Sequence, residues 1–109
     1  MKKSKKISVR KGSGNIFADL GFANPERERI KASLTLQIYR LIKQRGLTQT
    51  EAGAILGISQ PHVSTLMRGQ SGAFSVARLM DFLAALGQDV EITVRPTRKN
   101  HGAVSVVLS

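Results

Sequence analysis

A mainly α fold, four helices followed by a C-terminal β-strand or hairpin, is what this sequence of 109 residues predicts. Two observations carry the expectation. Apolar residues recur at helical spacing through four segments, and glycines at 46, 57, 69 and 87 stand where each pattern stops. Near residue 90 the period changes to two, the spacing of a half-buried strand. Length adds a bound, since such a chain supports one domain of about 80 to 90 residues plus tails. The expected division is a basic, disordered arm over 1–15, a domain over 16–95, and a basic loop with a second strand over 96–109.

The elements follow in order. After the Lys-, Ser- and Gly-rich arm comes a short apolar patch, Ile16, Phe17, Leu20 and Phe22. It is too short to fold alone, so it either docks on the domain or waits for a partner. Asn24-Pro25 opens the first helix: Asn24 suits a cap, Pro25 needs no amide partner, and Glu26 and Glu28 favour the positive end of the dipole. Ile30, Leu34, Ile38, Leu41 and Ile42 form its apolar face, with Lys43 and Arg45 before Gly46.

Thr48-x-x-Glu51 is a capping-box pattern that starts the second helix, which stops at Gly57. The third runs from Ser59 to Gly69. Ser75 caps the fourth, whose apolar face is Val76, Leu79, Met80, Leu83 and Leu86. Beyond Gly87, Val90, Ile92 and Val94 alternate with polar residues as a strand over 89–95. Residues 103–108 are a weaker strand candidate. A lone strand leaves its backbone groups unsatisfied. Residues 89–95 are therefore expected to pair either with 103–108 or with the same strand of a second subunit.

The second and third helices carry the functional signal. Two short helices joined by a tight glycine-containing turn define a helix-turn-helix, whose second helix enters the major groove of DNA. Gly53 falls where the two helices approach, so a side chain larger than Ala would separate them. Gly57 falls at the turn, where a positive φ suits glycine. Ile58, Val63 and Leu66 supply an inward face that Leu56 answers, while Gln60, Pro61, His62, Ser64 and Thr65 point outward. Those outward residues are polar or small, and Pro61 is tolerable in a first helical turn.

The run Leu47-Thr-Gln-Thr-Glu-Ala-Gly-Ala-Ile-Leu-Gly-Ile-Ser-Gln-Pro-His-Val-Ser-Thr-Leu-Met-Arg-Gly69 resembles, without a gap, the XRE family of lambda-repressor-like DNA-binding domains. Gly14-Asn-Ile-Phe-Ala-Asp-Leu-Gly21, Asn24-Pro-Glu26, Phe74-Ser75 and Leu86-Gly-Gln-Asp-Val-Glu-Ile-Thr-Val94 resemble its HigA-like antitoxin branch. The resemblance implies that Gln49 bonds a phosphate and steadies the recognition helix. It makes Ser59, Gln60, Pro61, His62, Ser64 and Thr65 candidates for the groove face, with Arg68 meeting the DNA backbone. Gln pairs bidentately with adenine, and hydroxyls contact bases or phosphates. Two of these residues have plainer readings, Ser59 as a helix cap and His62 as a neutral surface histidine.

The branch further implies a homodimer that represses its own operon and neutralises a RelE-like ribonuclease toxin. Ile16, Phe17, Leu20 and Phe22 would then be toxin-contacting or domain-docking, and Val90, Ile92 and Val94 a dimer strand. Such a dimer would place two recognition helices roughly 34 Å apart on a palindromic operator. Two features depart from this picture: the arm is basic where a partner of a basic ribonuclease would be acidic, and a strand stands where many such domains have a fifth helix. A stand-alone or phage-type XRE repressor without a toxin, and a protein mainly inhibiting a RelE-like ribonuclease, are the alternatives.

Charge is unevenly placed. Of a net +10, residues 1–11 hold Lys2, Lys3, Lys5, Lys6, Arg10 and Lys11 with no acid, and Arg95, Arg98 and Lys99 follow near the other end. Between residues 12 and 94, eight basic side chains face all seven acids, so the middle is almost neutral. The arm's cations are candidates for DNA-backbone contact, the alternative being a solubilising tail. With no cysteine and with His62 and His101 far apart, neither a disulfide framework nor a metal site is expected, and no cofactor is. No apolar run reaches the roughly 18 to 20 residues of a membrane span, so a soluble cytoplasmic protein is expected. Paired carboxylates, an activated nucleophile and a phosphate loop are missing, which argues against an enzyme. RNA binding through the tails would lack aromatic stacking positions.

Overall fold

The computed structural model describes residues 5–6, 24–70 and 72–108. Its elements in chain order are β1 (Lys5–Lys6), α1 (Asn24–Gln44), α2 (Gln49–Leu56), α3 (Gln60–Met67), α4 (Val76–Ala85) and β2 (Thr93–Val94). The four expected helices are present within one or two residues of their predicted ends. Their apolar stripes converge as periodicity requires. Ile30, Leu34, Ile38, Leu41 and Ile42 of α1 are buried, as are Val76, Leu79, Met80, Leu83 and, just past its end, Leu86 of α4. The α1 and α4 helices pack on each other, α2 packs on α3, and one continuous core joins the pairs.

Local chemistry sets the ends. At α2 the capping box forms in full: the Glu51 amide donates to Thr48 Oγ1 at 3.0 Å and the Thr48 amide to Glu51 Oε1 at 2.8 Å. At α4 the Ser75 hydroxyl accepts from the Arg78 amide at 3.0 Å. Asn24 is itself the first helical residue of α1, so the cap position falls outside the described residues. Arg45 is placed differently from the expectation that it serves the end of its own helix. Its guanidinium donates to the Leu86 carbonyl, where α4 has an unsatisfied acceptor. Thr35, not anticipated among the core residues, is 2% exposed, and its hydroxyl has no hydrogen-bond partner among the described residues.

The C-terminal part corrects the sequence reading most. The strand is confined to Thr93–Val94, and only Ile92 of the alternating trio packs against the core, while Val90 and Val94 are 40% and 49% exposed. Residues 103–108 form no strand. Val104 and Val106 lie half-buried on the core, and the Val104 amide donates to Glu26 Oε2 at 3.0 Å, so that donor is committed to α1 and not to a ladder. Within the chain the ladder partner of β2 is not 103–108 but β1, antiparallel, with Lys5 opposite Val94 and Lys6 opposite Thr93. Two residues assigned to a disordered arm thus satisfy the strand's backbone groups.

Among the described residues no helix is long and apolar enough to cross a membrane, and no group of three or more metal-ligating side chains occurs.

Candidate nucleic-acid interface

The turn between α2 and α3 positions the site. Gly57 caps α2 with φ +73°, a left-handed conformation that side chains disfavour, and its amide donates to the Gly53 carbonyl at 2.8 Å. The Ile58 amide reaches the same carbonyl at 3.1 Å. Gly53 is needed for a tighter reason than the sequence suggested. A Cβ there would lie 2.7 Å from the Ile58 carbonyl oxygen, so the backbone of the turn excludes even alanine's methyl. Leu56, Val63 and Leu66 are buried and Ile58 packs against them, which holds α3 across α2.

With that inward face fixed, the outward face follows from a turn of about 100° per residue. Gln60 and His62 fall on opposite shoulders of α3, with Pro61, Ser64, Thr65 and Arg68 between them. Gln60, Pro61, His62 and Arg68 are exposed, and Ser64 and Thr65 are half-buried. The helix itself carries no charged residue, and Arg68 stands at its C-cap. The face therefore offers amide, imidazole and hydroxyl groups, plus one guanidinium at its end.

Hydrogen bonds restrict how those groups can point. Gln60 Nε2 donates to Gln49 Oε1 at the start of α2. That contact fixes the orientation of the Gln60 amide and leaves its oxygen and second N–H for a base edge. Arg68 donates to Ser64 Oγ at 2.6 Å, so the Ser64 proton remains available for donation. Thr65 donates to the Pro61 carbonyl at 3.1 Å and keeps its lone pairs for accepting. Ser59 stands at the N-cap of α3 without a capping bond, contrary to the plainer reading of that residue. Its hydroxyl lies 3.0 Å from His62 Nδ1 instead.

On the His62 shoulder the structure adds a residue that sequence reasoning passed over. The His62 ring meets Phe74 edge to face at 6.1 Å, and Ile58, His62, Phe74, Ser75 and Arg78 line a shallow depression. Arg78 is exposed, and its guanidinium stacks over Phe82 at 5.2 Å, which gives it a supported position. A signal for it was present. Arg78 is a cation in the first turn of α4, at the positive end of the helix dipole, where a cation is unfavourable unless an external anion compensates. Gln49 on one shoulder and Arg78 on the other thus bracket the exposed face of α3.

The other predicted site residues are not brought to this face by any described contact. Lys2, Lys3, Arg10 and Lys11, and the patch Ile16, Phe17, Leu20 and Phe22, lie outside the described residues. Lys5 and Lys6 form β1, and of Val90, Ile92 and Val94 only Val94 belongs to the β2 ladder.

A family model described as a helix-turn-helix domain matches residues 16–95. A solved structure titled "Putative XRE Family Transcriptional Regulator" superposes with a TM-score of 0.74 at 39% identity, covering 80% of this chain and all of that one. "Putative antitoxin HigA2" of Mycobacterium tuberculosis (strain ATCC 25618 / H37Rv) is 32% identical over 73 residues, which span 64% of this chain and 72% of that protein.

Proposed function

From its membership of the helix-turn-helix family, as an XRE-type DNA-binding transcriptional regulator of the HigA-like branch, we propose that this chain is the autorepressing antitoxin of a toxin–antitoxin pair. It acts as a homodimer on a palindromic operator in its own upstream DNA. The observation that carries the DNA-reading half is the Gln60 amide, held by Gln49 on an exposed and nearly uncharged helix face. Gln60 is the principal base reader. Ser59, Pro61, His62, Ser64 and Thr65 complete the groove face, and Gln49, Arg68 and Arg78 hold the flanking phosphates.

A footprint on the upstream DNA, with Gln60→Ala beside the wild type, tests this half. The substitution should lower operator affinity by about 1 to 3 kcal/mol and relax one position of the site. Unchanged affinity and unchanged preference would remove α3 from the groove.

The antitoxin half is supported by the similarity to the mycobacterial protein so named. The partner would be a small RelE-like ribonuclease encoded alongside, and the test is its copurification with this chain. Binding should survive Gln60→Ala and be lost on deleting residues 14–23, the segment with the apolar patch. No copurifying partner would favour a second reading, an XRE repressor that works without a toxin. The basic character of residues 1–11 is the observation on that side, since a basic arm suits DNA better than a basic ribonuclease.

A further inference from the structure

Two lysines of the basic N-terminal run meet the start of the basic C-terminal stretch in the fold. Lys5 pairs with Val94 and Lys6 with Thr93, so Lys5–Lys6 lies beside the strand that leads directly into Arg95. Neither stretch contains an acid: none precedes Asp19, and none follows Glu91. Arg95, Arg98, Lys99 and His101 are all exposed. By contrast, residues 12–94 carry a net charge of only +1. Nine of the chain's seventeen basic residues therefore belong to two stretches that a single two-stranded ladder joins.

We infer that β1 and β2 assemble the two ends into one cationic surface for the sugar-phosphate backbone of DNA, separate from the α3 face. Two free tails would each lose conformational freedom on meeting phosphates, and each would act alone. Pairing Lys5–Lys6 to the body of the domain removes part of that cost beforehand and makes the two ends engage together. The surface adds affinity and salt dependence without sequence preference, because phosphate contacts carry no base information. Glu91, two residues before β2, is the acid nearest in sequence and marks where the acid-free stretch begins.

The experiment changes the pairing without changing a charge. Thr93→Pro and Val94→Pro, made singly in the full chain, put a residue with no N–H donor into the ladder. Both positions are exposed, so helicity by circular dichroism and the melting midpoint should stay near wild type. Binding to one operator duplex is measured from about 50 to 200 mM salt. In at least one variant the log–log slope should flatten by about two, and affinity near 100 mM should fall by about tenfold.

A second arm needs no proline. Lys5→Gln with Lys6→Gln, and Arg98→Gln with Lys99→Gln, are compared separately and combined. A shared surface gives a combined loss smaller than the product of the separate losses, because the joined ends grip one stretch of phosphates together and neutralising either half already weakens the hold of the other. Wild-type slopes in both proline variants, or losses that simply multiply, would overturn the inference. It rests on the DNA-binding reading, and the two fail differently. An intact protein that binds no duplex at low salt defeats that reading, whereas proline variants with wild-type slopes that still depend on Gln60 reject only the shared surface.

Discussion

The α3 helix is uncharged, whereas the β1–β2 end of the molecule is cationic. Between Gln60 and Met67 there is no ionisable group except His62, and the groups facing outward are held by one another or by backbone: Gln60 by Gln49, Ser64 by Arg68, Thr65 by Pro61. The acid-free stretches around Lys5–Lys6 and after Glu91 carry their charges on exposed or terminal segments. An oriented amide distinguishes bases because its donors and acceptors must match an edge, whereas a lysine near a phosphate accepts any sequence. On the proposed reading, sequence preference and electrostatic attraction reside in different parts of the fold, so each should be alterable while the other persists.

The largest expected effect breaks the first part outright. Gly53→Val places a branched side chain where the Ile58 carbonyl leaves no room for a Cβ. The α2–α3 pair must separate, at a cost of about 3 kcal/mol in denaturant unfolding. Operator preference should be lost, while salt-sensitive binding to unrelated duplexes remains. Gly53→Val with wild-type stability would mean that the turn tolerates the displacement and that the close approach does not position α3.

How much of this was legible depended on the distance over which each feature is decided. The capping box at Thr48, the left-handed Gly57 and the apolar stripes of α1 and α4 are set by residues within a turn or two of each other, and the sequence shows them directly. The outward face of α3 was legible for the same reason, once Val63 and Leu66 marked its inward side. The partner of β2 was not, because Lys5–Lys6 lies almost ninety residues away and has no apolar alternation to announce a strand. Nor were the Glu26 bond to Val104, the Arg45 bond to Leu86 or the placing of Arg78 beside His62, all of which depend on tertiary packing. Ser59 misled because the N-cap position implies a capping bond, and here a histidine three residues on competes for the hydroxyl.

Gln49→Ala sharpens the comparison next. Removing the acceptor of Gln60 Nε2 frees the reading amide, which should cost about 1 kcal/mol on the operator. Because Gln49 both orients Gln60 and holds a phosphate, the loss on the operator should exceed the loss on non-operator duplexes. An equal loss on every duplex would make it a phosphate ligand alone. Arg78→Gln should show the reverse pattern, a uniform loss across sequences with the salt slope flattened by about 0.9. A change in base preference for this variant, with no change in slope, would place Arg78 at a base edge.

The smallest effect separates two serines at equivalent positions. Ser75 caps α4 through its hydroxyl, and Ser75→Ala should cost about 1 kcal/mol of stability. Ser59 occupies the same position on α3, but its hydroxyl is directed to His62 and makes no capping bond. Ser59→Ala should therefore cost under about 0.5 kcal/mol in unfolding. Its operator affinity should fall by more than its stability does, because the change unfastens His62 on one shoulder of the groove face. If Ser59→Ala destabilises as much as Ser75→Ala, the hydroxyl caps the helix in solution and His62 is held by Phe74 alone. In that case Ser59 belongs to the fold as a helix cap, and the groove face is narrower by one side chain.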